Sequence, residues 1–280
     1  RLYKTNRYLL GSLETRGEYQ PNFLDYQTYI SYTPNKRWQV DLIGYISENH
    51  YNFTPESRET TFGTFADANS FKVYFDGQEK DVFRTYFGTA SITRSFGDST
   101  KIKFLTSAFH TKEKETYDIM GQYWLGDAQS SENLGVGTYM EHARNHLTAD
   151  VVSFKLVGTH KTRHHDIEAG ITYKTEHITE TSREYEMRDS SGYSIPHTAD
   201  RLDLIYTLMA NNDLKSHRIE AYLQDTWRFS KGDTYFTLNY GVRLANWSFN
   251  KETIVSPRVS LAIVPSFNQD MTIRLATGIY

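Results

Sequence analysis

Alternation constrains this chain more than any other feature. Ile219, Ala221, Leu223, Trp227 and Phe229 form a row in which every second residue reads as apolar, with Glu220, Gln224, Thr226 and Arg228 between them. Phe236, Leu238, Tyr240, Val242 and Leu244 repeat the pattern, followed by Val259, Leu261 and Ile263 and by Met271, Ile273, Leu275 and Ile279. A period of two puts successive side chains on opposite faces of a strand, whereas a helix needs apolar spacings of three and four. Trp38, Val40, Leu42 and Ile46 alternate in the same way, as do Ile167, Ala169, Ile171 and Tyr173. Residues 82–96, 101–110 and 144–159 are weaker but strand-like, and the first 35 residues read as two strands. The expected total is about eleven strands with no helix.

Such strands explain a composition that otherwise conflicts with itself. Mean hydropathy is −0.61, yet 21 Tyr, 16 Phe and 4 Trp make aromatics 15% of the 280 residues. No apolar run approaches the roughly 20 residues of a membrane helix; the longest, Leu261 to Val264, is closed by Pro265. With no Cys, disulfide scaffolds and thiolate zinc sites are excluded. A net charge of −3 argues against a dedicated nucleic-acid binder, and the aromatic and β-branched content argues against disorder. Soluble β proteins and outer-membrane barrels remain.

The connections separate these two. Tight turns are expected at 33–37, 96–100, 160–164, 230–233 and 265–270, where Gly, Pro, Asn and Asp gather. Between them fall long connections at about 48–80, 112–143 and 181–216 and a short one near Asn250 to Glu252. Tight and long connections alternate strictly, which is the layout of a transmembrane β-barrel. A closed barrel satisfies every backbone group internally and needs apolar side chains only on its outer face. Eleven strands is an odd number, and half of the 22 of a plugged transporter. Together with a start at Arg1 and strands running to Tyr280, that count favours part of a larger barrel.

Several segments resemble the barrel region of TonB-dependent outer-membrane receptors of Bacteroidetes, in the group with an N-terminal carboxypeptidase-like regulatory domain. They are ESRETTFGTF (56–65), FKVYFDGQEKDVFRTYFG (71–88), KETYDIMGQYWL (114–125), ENLGVGTYMEHARN (132–145), SREYEMRDSSGYSIPHT (182–198), and the strands SPRVSLAIVP and TIRLATGIY within 256–280. The resemblance implies an all-β antiparallel transmembrane barrel segment, with residues 1–280 part of one barrel domain and the plug domain outside them. It implies that family strands continue past the position of Tyr280. The implied function is import of a scarce or bulky nutrient (siderophore, cofactor, oligosaccharide or peptide) across the bacterial outer membrane. Implied partners are the TonB complex acting through regions outside this sequence, the lipid bilayer with lipopolysaccharide, and a surface lipoprotein.

Candidate substrate-binding residues lie in the expected long loops: Tyr117, Tyr123, Trp124, Tyr139, Tyr185 and Tyr193, whose rings suit stacking on sugars or siderophores. Arg183 and Arg188, with Asp189, could read a charged ligand. Each has a structural alternative, ring packing for the aromatics and a stabilising ion network for the charges. No metal site is expected. His142 and His146 have the i, i+4 spacing of a helical face but no helix signal, and His160, His164 and His165 flank a tight turn. No catalytic motif is present, so neither enzyme activity nor a cofactor is expected. The competing readings are a soluble all-β ligand- or glycan-binding module and a passive outer-membrane porin.

Overall fold

The computed structural model describes residues 2–4, 17–64, 67–127, 133–190, 201–267 and 271–279. They form thirteen strands: β1 (Leu2–Lys4), β2 (Gly17–Tyr19), β3 (Asn22–Asn35), β4 (Trp38–Pro55), β5 (Arg58–Thr64), β6 (Asp67–Phe96), β7 (Thr100–Asp127), β8 (Asn133–Lys161), β9 (His165–Ser190), β10 (Asp203–Lys231), β11 (Thr234–Trp247), β12 (Glu252–Val264) and β13 (Ile273–Gly278). All belong to one antiparallel sheet, in which β1 and β13 are the two ends.

The thirteen strands occupy eleven columns. β2 and β3 both pair with β4, Tyr19 opposite Phe53 and Asn22 opposite His50. They are one strand interrupted at Pro21, which has no N–H to give to the ladder. In the same way β4 and β5 both pair with β6, Phe53 opposite Glu79 and Arg58 opposite Val73. Each column pairs with the next in the chain, so the topology is a pure meander.

One side of the sheet has the short connections that the turn residues predict. Asn35 faces Trp38, Phe96 faces Thr100, Lys161 faces Asp166 and Lys231 faces Thr234. Gly97 (φ 67°) and Gly232 (φ 59°) supply the left-handed backbone that two of these turns need.

The other side corrects the sequence reading. The three expected long loops are mostly strand. β5 and β6 pair as far as Thr64–Asp67, β7 and β8 as far as Gly126–Asn133, and β9 and β10 as far as Arg188–Asp203. Tall hairpins therefore rise where loops were expected. The alternation test missed them because apolar residues fall on both of their faces among polar and aromatic ones, as at Leu208 and Met209, so hydropathy has no steady period to show.

Pairing parity gives the sheet two distinct faces. One carries Ile30, Leu42, Ile92, Phe104, Leu156, Ile171, Leu223, Val242 and Leu275, all exposed. The other carries Asp41, Ser91, Lys103, Lys155, Glu168, Gln224, Arg243 and Arg258 at matching heights. The apolar rows form a belt beside the tight turns. On β10 it runs over 219–229; at ~3.3 Å per residue and ~45° tilt this spans about 23 Å. Aromatic side chains mark its lower border, at Tyr32, Trp38, Phe96, Trp227 and Phe229, and its upper border, at Tyr26, Tyr86 and Tyr173. Just above the upper border the same face becomes ionic: Glu48–Arg84 (2.8 Å), His110–Asp150 (2.6 Å) and His177–Asp213 (3.0 Å).

Among the described residues nothing covers the belt. Among the described residues the only buried hydrophobic side chains are Ala143 and Ala149, while Ile219 and Leu223 are 49% and 54% exposed. A sheet in water hides its apolar face against a second layer, and there is none among these residues.

The apolar row of β10 also needs a correction. Its alternation is broken by Asp225, which lies on the belt face and is only 8% exposed. His165 Nδ1 and the Tyr240 hydroxyl reach its Oδ2 at 2.6 and 2.7 Å. Trp227 stacks on the His165 ring at 5.8 Å and an interplanar angle of 7°. His165, read from sequence as flanking a tight turn, is thus the partner that lets a carboxylate sit in an apolar row.

Candidate functional site

Above the belt, β6 to β9 continue as a wall. Seven of the eight sequence candidates fall on it, in strands β7, β8 and β9 and not in loops; Tyr193 lies outside the described residues. Parity divides the seven. Tyr117, Tyr123, Tyr139 and Arg188 share the face of the polar lining, while Trp124, Arg183 and Tyr185 continue the face of the belt. They therefore do not form one site.

Packing explains several of them. Tyr123 and Tyr139 sit directly across from Gly137 and Gly121 on neighbouring strands. A Cβ on Gly121 would meet the Tyr139 ring at 2.4 Å, and one on Gly137 would meet Tyr123 at 2.2 Å. Each ring fills the space its partner glycine leaves, covering bare backbone with apolar area. On the other face Trp124 meets Tyr74 edge-on at 5.0 Å, and Tyr185 stacks on His142 at 4.5 Å. His142 in turn bonds Asp118 at 2.5 Å, and Asp118 also receives Arg144. Burial alone would raise the Asp118 carboxyl, but Arg144 and His142 hold it below its usual range. His142 and His146 sit on a strand, ~13 Å apart at ~3.3 Å per residue, and cannot share a metal ion.

The polar face of the wall is acidic. Glu79 and Asp81 of β6 and Glu115 of β7 bring carboxylate oxygens within 4.8 Å of one another. Asn145 Nδ2 links Glu115 (3.0 Å) to Glu184 (2.6 Å). Burial and the neighbouring Asp81 push Glu79 up to about 7. Burial and Glu115 raise Asp81. Burial, with Glu184 and Glu115 nearby, takes the Tyr117 hydroxyl to about 12. Glu141 is raised by burial and by Glu186, and Arg188 pairs with Glu186. Sequence reasoning named the aromatics here but not the acids. The signal was available: 79, 81 and 115 share one parity once β6 and β7 are paired.

At belt level the same face is richer in bases. Lys155, Glu168, Tyr222, Arg243 and Arg258 line a cleft of about 630 Å³. Tyr222 donates to Glu168 at 2.7 Å, and Lys155 and Arg243 lie 5.7 and 5.9 Å from its ring. Beside it Glu176 accepts from Ser216 at 2.8 Å and pairs with Arg218 (3.3 Å) and Lys174 (3.3 Å). The polar face thus runs from a basic lower lining to an acidic upper wall.

No family model and no curated protein matches the chain. Among solved structures it is similar to the translocator domain of the autotransporter NalP from Neisseria meningitidis, at 10% identity and a TM-score of 0.29, covering 98% of this chain and 86% of that one. It is also similar to the ferric-catecholate import receptor Fiu from E. coli K12, at 8% identity and a TM-score of 0.19, covering 92% of this chain and 63% of that one.

Proposed function

We propose that this chain is part of the wall of a TonB-dependent outer-membrane receptor that imports a scarce or bulky nutrient. One observation carries the membrane reading: a single-layer antiparallel sheet exposes a continuous apolar belt, bounded by aromatic rows, with no layer among the described residues to cover it. Lipid is the solvent that such a belt fits. A soluble ligand-binding sandwich would leave the belt in water, and large exposed apolar areas are not stable there.

The finer reading is supported by the motif resemblance and by the tall hairpins, which suit capture of a ligand beyond the outer leaflet. Eleven columns would make half of a 22-stranded wall. In that arrangement the polar lower lining, Lys155 to Arg258, faces a plug that the TonB complex moves. No chemistry is done on the substrate. Lipopolysaccharide would meet the ionic rim at Arg84, His110 and His177, and a surface lipoprotein would meet the hairpins.

Cell fractionation tests the membrane reading. The full-length protein is expected to sediment with outer membranes and to need detergent for release; extraction by buffer alone sinks the proposal. Uptake assays in cells lacking the energising complex test the finer part. Uptake that persists there would make the protein a passive porin.

A further inference from the structure

The three carboxylates of the upper wall are set like cation ligands. Their oxygens lie within 4.8 Å of one another, which matches oxygens on opposite sides of a Ca²⁺ at ~2.4 Å each. Asp81 is only 7% exposed, and its Oδ1 has no hydrogen-bond partner. A buried carboxylate oxygen left without a partner is costly. Tyr51 and Tyr117 lie close enough to feel these carboxylates, and Asn145 joins Glu115 to Glu184; none of these neighbours adds positive charge.

We propose that Glu79, Asp81 and Glu115 bind a divalent cation of the calcium type, joining the outer extensions of β6 and β7. The donor set is all oxygen and anionic, as a hard cation prefers, with no nitrogen or sulfur to favour a transition metal. Glu79 and Glu115 are half-exposed, so water can complete the six to eight ligands that Ca²⁺ takes. The cation would supply the missing partner of Asp81 Oδ1 and offset three like charges. This inference does not depend on the transport reading: the site would exist in any protein with this wall, so fractionation and cation binding fail separately.

Terbium luminescence tests it. Full-length protein in detergent, stripped with chelator, is titrated with Tb³⁺, whose emission Tyr51 and Tyr117 should sensitise. A signal that Ca²⁺ displaces, with Tb³⁺ affinity at least tenfold weaker in Asp81→Asn and Glu115→Gln, is the expected result. If the emission is not displaced by Ca²⁺, or survives unchanged in both variants, the site is refuted. Glu79 and Asp81 would then merely share a proton. Should Asp81→Asn not fold, Glu115→Gln decides alone, since Glu115 is half-exposed and its loss leaves no new buried orphan.

Discussion

The lower and upper halves of the same strands follow different rules. On β10, residues 219–229 alternate apolar and polar, apart from Asp225, while higher up apolar residues such as Leu208 and Met209 fall on both faces. The backbone ladder is continuous through the change. The lower half is held by its solvent, since its side chains are stable only where one face meets lipid. The upper half is held by cross-strand pairs: tyrosines over glycines, and ions over ions. Similar backbone geometry therefore responds to opposite substitutions.

The largest expected difference comes from placing a charge on the belt face. Leu223→Arg should cost about 2–4 kcal/mol of folding stability in lipid vesicles, read from urea unfolding by tryptophan fluorescence. Leu204→Arg, on an exposed upper position of the same strand and face, should cost almost nothing. Equal costs would break the distinction between the two halves. Gly121→Val strikes the upper half: its side chain must displace the Tyr139 ring, and overpacking of this kind costs about 1–3 kcal/mol. A neutral result in the same unfolding assay would show that the ring moves aside freely.

His165→Leu removes one partner of the buried Asp225 and should cost about 1–2 kcal/mol. The double variant His165→Leu with Asp225→Leu should recover most of that loss, because an apolar pair suits the belt better than an orphaned carboxylate. A double variant no better than the single one would mean that Asp225 is stabilised mainly by Tyr240. Arg84→Ala, in the exposed ionic rim, should change stability by about 0.2–1 kcal/mol, and less in high salt. A larger effect that salt leaves unchanged would place this rim inside the belt.

The belt was legible in the sequence because lipid and lumen impose opposite demands on alternate residues. Ile219, Leu223 and Trp227 display that demand directly, and the count of about eleven strands equals the eleven columns. The hairpins were not legible. Tyr117, Tyr123 and Arg188 lie in strands, but strands without a steady hydropathy period read as loop. Nor could parity be assigned to the candidates before pairing was known, so nothing in the sequence showed that Tyr139 and Tyr185 point to opposite faces. Asp225 breaks the row, and its partner His165 lies sixty residues earlier in the chain.

By itself the sequence determined the period, the tight turns and the amphipathic belt, since these depend on neighbours one to five residues apart. Only the tertiary structure decided which distant residues share a face. Register fixes that, and register is a property of paired strands. It brought Glu79, Asp81 and Glu115 together across β6 and β7, and it placed Gly121 under Tyr139. Such meetings depend on which residues stand opposite across a ladder, and no single strand carries that information.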